Sequence, residues 1–320
     1  MLEVQGLTKY YGLKRAIYDI SFEIGSGQIA GFLGLNGAGK TTVLKILSGF
    51  LLPTSGTVKI DGTDLVSSPD ALRACIGFLP EEPPLYPEMT VRGFLRYLAQ
   101  LRGVATRDLK RQVERVTEST GLTEVIDQSI GSLSLGYRRR VGIAQSIIHD
   151  PALVLLDEPI SGLDPIQIVE MRSLIRDLAG DHTILISSHI LTEVEETCDT
   201  LLVLKEGELV ARGSEADLRE RFAAALSVRV AIQGAAEEVR SLVGGLDVVA
   251  SIESLRHNDK ECVLDLTLQR DEPEALASAV VGGGFGLRRL EPSHNELEGI
   301  FLAATTPRTP TAEQSEGEQT

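Results

Sequence analysis

A glycine-rich segment that follows a short apolar run is the feature that most limits how this chain can fold. Residues 34–41 read GLNGAGKT and fit the pattern G-x-x-x-x-G-K-[ST], between a predicted strand at 29–33 and a predicted helix at 41–49. Glycines let the backbone curl so that successive N–H groups point at phosphate oxygens, and the start of the helix adds partial positive charge. The spacing therefore predicts a strand–loop–helix unit that cradles the phosphates of a nucleotide.

The residues at the end of this loop carry the charge and the hydroxyl that a bound nucleotide needs. Lys40 supplies a positive charge to the β- and γ-phosphates, an attraction of about 4 kcal/mol at ~4 Å and an effective dielectric of roughly 20. Thr41 offers a hydroxyl to Mg²⁺. We predict ATP and Mg²⁺ as cofactors, and ATP contacts from Gly34, Asn36, Gly37, Ala38, Gly39, Lys40, Thr41 and Thr42.

An acidic pair follows a second apolar run. Residues 153–156 predict a buried strand, which would place Asp157 and Glu158 at the carboxyl edge of a parallel sheet, where ligands bind in such folds. There Asp157 can hold Mg²⁺ and Glu158 can polarise an attacking water as a base. Alone, such a pair is more often structural, but the loop at 34–41 favours the functional interpretation. His189 follows the next predicted strand and is either structural or reaches a γ-phosphate.

The order of predicted elements divides the chain into two domains and a tail. Alternating strands and helices favour an α/β fold for residues 1–222, with an antiparallel β piece and a helical subdomain over about 88–150. The order βαββαβ over 223–305 predicts a small α+β, ferredoxin-like domain that closes with a helix at 293–304. Residues 306–320 are polar and contain proline, which predicts a disordered tail.

Charge and hydropathy restrict the class of protein. The net charge is −15, which disfavours nucleic acid as a partner because DNA and RNA are densely negative. No stretch approaches the ~20 apolar residues that a membrane-spanning helix needs, so we expect any membrane part to be a separate polypeptide. Cys75, Cys198 and Cys262 are far apart in sequence, which is typical of a reduced cytoplasmic protein.

Further motifs lie in a fixed order around the acidic pair. Residues 133–137 read LSLGY, 157–159 read DEP and 161–164 read SGLD. With the loop at 34–41 and His189, they resemble the signature motif, Walker B motif, D-loop, P-loop and switch histidine of ABC transporter ATP-binding subunits. The resemblance implies a P-loop NTPase fold of the ABC type, ATP hydrolysis, and a phosphate-sensing role for His189.

The resemblance covers about residues 1–220 and implies a head-to-tail dimer with a second copy of the chain or a related ATPase subunit. In this family, the signature motif of one subunit completes the ATP site of the other. Tyr11 matches the aromatic residue that stacks on adenine, a contact worth ~1–3 kcal/mol, with Tyr10 as the adjacent competitor. The residues assigned to these motifs are Ser134, Leu135, Gly136 and Tyr137 for the signature and Asp164 for the D-loop.

Two motifs depart from the pattern of the family. Leu135 and Tyr137 stand where the signature has Gly and Gln, and Glu81 stands at the position of the Q-loop glutamine. The Glu81 oxygens can still bind Mg²⁺, so the predicted metal ligands are Thr41, Asp157 and Glu81. Residues 138–140, three arginines, are interpreted as a solvated helix face or a dimer contact, with an anion patch as the alternative.

With these departures, the sequence resembles a bacterial exporter-type subgroup that includes gliding-motility and gene-cluster ATPases. The prediction is a cytoplasmic subunit that hydrolyses ATP for a separate membrane permease and lies on the inner face of the cell membrane through it. A soluble ABC-type regulatory ATPase is the alternative, although such relatives usually carry two cassettes in one chain. A third class is a nucleotide sensor with an inactive site, against which the intact Lys40, Asp157, Glu158 and His189 argue.

Overall fold

The structure is a computed structural model, and it describes residues 1–65, 67–214, 216–218, 226–257, 261–270 and 272–292. The chain forms two compact units, Met1–Glu215 and Ala216–Thr320, and each is described by itself. The predicted domain boundary after residue 222, the final helix at 293–304 and the tail at 306–320 fall outside the described residues.

Two sheets form the described part of the first unit. Its strands are β1 (Leu2–Tyr11), β2 (Lys14–Ile24), β3 (Ile29–Leu33), β4 (Ser55–Ile60), β5 (Thr63–Asp64), β6 (Ile76–Leu79), β7 (Leu153–Asp157), β8 (Thr183–Ser188), β9 (Thr200–Lys205) and β10 (Glu208–Gly213). One sheet has the antiparallel order β2-β1-β4-β5. The central sheet has the order β10-β9-β3-β8-β7-β6 and is parallel apart from the β9–β10 pair.

Helices cover the central sheet and supply the predicted helical subdomain. They are α1 (Lys40–Leu47), α2 (Pro69–Ala74), α3 (Val91–Leu101), α4 (Leu109–Ser119), α5 (Leu135–Ile147), α6 (Pro165–Leu178) and α7 (Leu191–Glu195). Ser134 and Asp164 cap α5 and α6, since their side chains accept hydrogen bonds from first-turn N–H groups. α1 begins directly after Gly39 with no side-chain cap. No helix in the described ranges is long and apolar enough to cross a bilayer.

Strand β7 lies between two apolar cores. Its Val154 and Leu156 belong to the core that includes the helical subdomain, whereas Leu153 and Leu155 belong to the core that includes α1 and the antiparallel sheet. Successive side chains of a strand point to opposite faces, so an entirely apolar strand is what two covered faces require. The central sheet is therefore buried on both sides, and its carboxyl edge is where the loops that follow the strands come together.

The second unit is a ferredoxin-like sandwich in its described part. Its strands are β11 (Leu226–Gln233), β12 (Val249–His257), β13 (Cys262–Leu268) and β14 (Gly286–Pro292), and its helices are α8 (Ala236–Gly244) and α9 (Pro273–Gly282). The strands are antiparallel in the order β12-β13-β11-β14. Val230, Leu264, Val239 and Leu276 lie in one core between the sheet and the helices. The predicted α/β fold with an antiparallel β piece and a helical subdomain, followed by a small α+β domain, agrees with this architecture.

The segment between β4 and β6 differs from the sequence-based expectation. The sequence pattern of residues 74–79 is typical of a strand, but α2 extends to Ala74 and the strand begins at Ile76. The two-residue strand β5 was not predicted. Both elements are too short for the periodicity of apolar residues to indicate them.

A substitution at Gly77, in β6, can test how closely this strand packs against α5. A Cβ added there would lie 2.0 Å from the carbonyl oxygen of Ser146, and that backbone would have to shift. We expect Gly77→Ala to lower the free energy of unfolding of this unit by about 1–3 kcal/mol, the usual cost of overpacking. Urea denaturation measures the change.

Gly282→Ala, in the second unit, is a control for the exchange of glycine for alanine itself, because a Cβ at Gly282 meets no described atom within 4 Å. It is expected to change the free energy of unfolding by less than about 0.5 kcal/mol, as surface substitutions usually do. Equal denaturation midpoints for wild type and Gly77→Ala would contradict the close approach of β6 and α5.

Candidate nucleotide-binding and hydrolysis site

The loop between β3 and α1 has backbone angles that require glycine. Gly37 and Gly39 have φ values of 84° and 108°, in the left-handed region. At Gly34 the constraint is space, because a Cβ there would lie 2.6 Å from the carbonyl oxygen of Leu204. The loop thus curls at the carboxyl end of β3 in front of the first turn of α1, as the sequence predicted for a phosphate cradle.

Lys40 is the first residue of α1, and its ammonium group lies against this loop. The side chain is almost fully buried, with the residue 5% exposed. Its Nζ donates a hydrogen bond of 2.6 Å to the carbonyl oxygen of Gly34 and lies 3.5 Å from Oε1 of Glu158. A buried cation at the mouth of a loop of N–H groups is suited to hold a phosphate group.

Asp157, at the end of β7, lies beside Thr41, the second residue of α1. Oδ1 of Asp157 is 3.4 Å from Oγ1 of Thr41 and accepts a hydrogen bond of 2.5 Å from Oγ of Ser187. The Ser187 hydroxyl also accepts a bond of 3.1 Å from the N–H of Glu158. The Thr41 hydroxyl and the Asp157 carboxylate are oxygen ligands of the kind that Mg²⁺ uses together with substrate phosphates.

Glu158 has a left-handed backbone conformation, and its carboxylate lies beside Lys40 and His189. Its φ is 49°, a left-handed conformation that costs a non-glycine residue of the order of 1–3 kcal/mol. The residue is 8% exposed. One carboxylate oxygen lies 3.5 Å from Nζ of Lys40, and the other lies 2.9 Å from Nδ1 of His189. The carboxylate is therefore fixed between a cation and an imidazole at the sheet edge.

The loop that carries His189 is held by a second buried carboxyl group. Oγ of Ser188 donates a hydrogen bond of 2.6 Å to Oε2 of Glu193 and accepts one of 3.0 Å from the N–H of Ile190. Burial raises the pKa of the Glu193 carboxyl, and the hydrogen bond from Ser188 opposes that rise. This arrangement fixes the backbone on both sides of His189.

A cleft of about 820 Å³ is lined by Lys40, Thr41, Glu158 and His189, whereas Gly34 and Asp157 are not among its lining residues. That volume is within the range of small-molecule sites. Its lining residues are Tyr11, Lys14, Arg15, Ala16, Leu35, Asn36, Gly37, Ala38, Gly39, Lys40, Thr41, Thr42, Glu81, Glu158, Ser161, His189 and Glu206. Tyr11 is 49% exposed and lines the cleft, whereas Tyr10 is not among the lining residues.

The signature residues and Asp164 are not among the residues that line this cleft. Ser134 caps α5 through a bond of 3.4 Å from the N–H of Tyr137, and Leu135 is 41% exposed. Gly136 is buried, and a Cβ there would lie 2.8 Å from Oε1 of Gln167. Oδ1 of Asp164 accepts hydrogen bonds from the start of α6, the helix that carries Gln167. The signature and the D-loop are therefore neighbours.

The burial of Arg139 contradicts a solvated helix face at residues 138–140, whereas a dimer contact for this segment stays a prediction. Arg139 is 8% exposed, and its Nη1 donates a hydrogen bond to the carbonyl oxygen of Glu81. Burial lowers the pKa of its guanidinium, while the charges of Glu81, Glu158 and Glu82 oppose that effect. Arg140 pairs with Glu170 at 2.7 Å instead. The three arginines thus have different surroundings.

Several residues of the site were missed in the sequence. Lys14 and Arg15 line the cleft close to Tyr11, but a basic pair in a strand carries no signal of its own. Ser187 donates a hydrogen bond to Asp157 on the neighbouring strand, and Glu193 on α7 accepts one from Ser188. Both contacts depend on how the strands and helices pack. The place of Ser187 could have been inferred from the expected pairing of β7 with β8, since it ends a buried strand as Asp157 does.

Comparison with known proteins places the chain in one family. The family described as ABC transporter matches residues 17–161. The uncharacterized ABC transporter ATP-binding protein YxlF of Bacillus subtilis (strain 168) is 32% identical, over 94% of this chain and 98% of that protein. The bacitracin transport ATP-binding protein BcrA of Enterococcus faecalis is 40% identical, over 69% of this chain and 71% of that protein.

A solved structure agrees with this assignment. CbiO1 from Clostridium perfringens, described as part of the ABC transporter complex cbiONQ, has a TM-score of 0.63 and 27% identity. The alignment covers 69% of this chain and 93% of that one. Fold and cleft together define a nucleotide-binding P-loop ATPase. The chain belongs to the ABC transporter ATP-binding proteins, which bind and hydrolyse ATP to power transport, and the predicted resemblance is confirmed.

Lys40→Ala tests the phosphate cradle. We expect the dissociation constant for ATP to rise by about 10²–10³-fold, because a positive charge at ~4 Å from a phosphate contributes about 4 kcal/mol before solvation is counted. Titration calorimetry measures the affinity. Lys45→Ala is the control, since Lys45 is exposed in the same helix. Equal ATP affinities for wild type and Lys40→Ala would remove Lys40 from the site.

Proposed function

We propose that Glu158 is the general base that activates water for attack on the γ-phosphate of ATP bound in the cleft. The position of its carboxylate carries the proposal, since one oxygen lies 3.5 Å from Nζ of Lys40 and the other 2.9 Å from Nδ1 of His189. Lys40 marks where the terminal phosphates bind, so a water between that phosphate and Glu158 has a proton acceptor within reach.

The remaining residues of the site position the reactants. The N–H groups of residues 36–41 and the ammonium of Lys40 hold the phosphates. His189 fixes the Glu158 carboxylate and faces the γ-phosphate, where an imidazole N–H stabilises the charge that develops on the transferred group. Tyr11 stacks on adenine at the other end of the cleft. Phosphoryl transfer depends mainly on positioning and electrostatics, which these groups supply.

The oxygens beside the phosphate loop fit a magnesium ion. Thr41 and Asp157 would hold it together with phosphate oxygens, and Glu81 on the cleft wall would add a third protein ligand. Bound Mg²⁺ would neutralise charge on the β- and γ-phosphates. No group of three or more His, Cys, Asp or Glu side chains suited to a metal occurs among the described residues.

A second ATPase subunit completes the site in this proposal. Ser134 and Gly136 begin α5 on a part of the chain that does not line its own cleft. A hydroxyl and the N–H groups at a helix start are suited to a γ-phosphate. Leu135 is exposed beside them, where a partner subunit can cover it. We therefore infer a head-to-tail dimer in which Ser134, Leu135, Gly136, Tyr137 and Asp164 face the nucleotide of the other subunit.

The transport partner is a separate permease, and export is the proposed direction. The relatives include a bacitracin transport ATP-binding protein and a subunit named as part of a transporter complex. The described part of this chain contains no helix suited to span a membrane. We infer that the chain binds the inner face of the cell membrane through its permease. The soluble regulatory alternative is not favoured by these relatives.

Glu158→Gln separates hydrolysis from binding. We expect turnover to fall by ~10²–10⁴-fold, because an amide cannot accept the proton of the attacking water. ATP affinity should stay within a few-fold of wild type, since the phosphate cradle is unchanged. Phosphate release and nucleotide titration on the same preparation give both values.

Glu114→Gln is the control for this substitution, because Glu114 is exposed on α4 and pairs only with Lys110 among the described ion pairs. It should turn over ATP at the wild-type rate. Near-normal turnover in Glu158→Gln would exclude Glu158 as the base and leave the ATP site itself intact.

The transport role is tested by isolating the chain from native membranes with chemical cross-linking and identifying its partners by mass spectrometry. We expect a multi-spanning permease, and faster ATP turnover in the complex than in the isolated chain. Recovery of the chain only from the soluble fraction, with unchanged turnover when membranes are added, would favour the regulatory alternative.

A further inference from the structure

Arg139 is a buried cation that the proposed mechanism does not use. It lies in α5, the helix that begins at Ser134, and donates a hydrogen bond from Nη1 to the carbonyl oxygen of Glu81. Its Nε is buried and has no hydrogen-bond partner among the described residues. Such a group is costly to bury unless nearby negative charge compensates it.

That negative charge is on the wall of the nucleotide cleft. Glu81, Glu82 and Glu158 are the carboxylates that act on Arg139 electrostatically, and both Glu81 and Glu158 line the cleft. Glu81 occupies the position where the family has a neutral glutamine, so it adds a negative charge beside a triphosphate. A cation behind Glu81 offsets the repulsion that this substitution would otherwise create.

Packing keeps Arg139 next to this segment. A Cβ at Gly142, one helical turn further along α5, would lie 2.6 Å from Cδ1 of Leu79 and 3.1 Å from Cβ of Pro83. These two residues stand on either side of Glu81 in sequence. The glycine therefore allows α5 to approach the Glu81 segment closely enough for Arg139 to reach its backbone.

We propose that Arg139 is a positioning residue that holds Glu81 at the cleft wall and compensates its charge, so that a glutamate can serve where the family uses a glutamine. The proposal rests on the proposed function, because it requires ATP in this cleft. It also joins Glu81, which faces the chain's own nucleotide, to the helix that begins with the signature residues.

A double-mutant cycle over Arg139→Gln and Glu81→Gln tests the proposal, with the dissociation constant for ATP and the turnover rate as readouts. We expect Arg139→Gln alone to weaken ATP binding about tenfold, since it removes the hydrogen bond to the Glu81 carbonyl and a positive charge near the carboxylate that we propose as a magnesium ligand. In the Glu81→Gln background the same change should cost clearly less than tenfold, because only the hydrogen bond to the carbonyl of residue 81 is then lost. Arg139→Lys, which keeps the charge, should recover most of the affinity.

A purely structural role for Arg139 predicts a different outcome. The loss would then be the same with and without Glu81→Gln, and that result, or no loss in Arg139→Gln, would overturn the proposal. If Arg139→Gln does not fold, recovery of folding in the double variant supports charge compensation, and failure to recover contradicts it.

Arg111→Gln is the control, because Arg111 is exposed in the helical subdomain and pairs with Asp108. It should leave both readouts unchanged. If the wild-type chain binds no ATP, the proposed function fails. If the wild-type chain binds and hydrolyses ATP but the effects of Arg139→Gln and Glu81→Gln are additive, only the proposed role of Arg139 is excluded.

Discussion

The register of three parallel strands is the constraint on which the site depends. β3 lies next to β8, with Leu33 opposite Ser188, and β8 lies next to β7, with Asp157 opposite Ser187. The chain leaves all three strands at the same level of the sheet. For this reason the phosphate loop, the acidic pair and His189 meet although more than a hundred residues separate the first from the second. No contact between the loops themselves is needed to bring them together.

The site stores unfavourable free energy that the surrounding sheet has to offset. Lys40 and Glu158 are buried, and burying an ion pair often costs more than the attraction returns. Glu158 also has a left-handed backbone. Apolar strands covered on both faces hold these groups in place. Glu158, to which we assign the chemistry, is thus one of the non-glycine residues that carry backbone strain, which is common in functional sites.

The sequence predicted the parts of the site that are local and missed those that depend on three-dimensional neighbours. β3, the first four residues of β7 and residues 184–186 of β8 are continuous apolar runs, and the residues that follow them fit short patterns, so both were predictable. The interaction of Arg139 with Glu81 was not, because a helix face shows its partner only after folding. Ser187 was missed although the expected pairing of β7 with β8 could have placed it beside Asp157. The assignment of Ser134 to a partner's nucleotide remains a prediction.

The alternation along β7 ties the acidic pair to the stability of the whole unit. Leu153 and Leu155 belong to one core, and Val154 and Leu156 belong to the other. A slip of one residue would turn each side chain to the wrong face and disrupt both cores at once. The strand therefore has no small opening motion that would move Asp157 and Glu158 alone. Its amide hydrogens should exchange with solvent only when the unit unfolds globally, which would make the end of β7 a rigid part of the site.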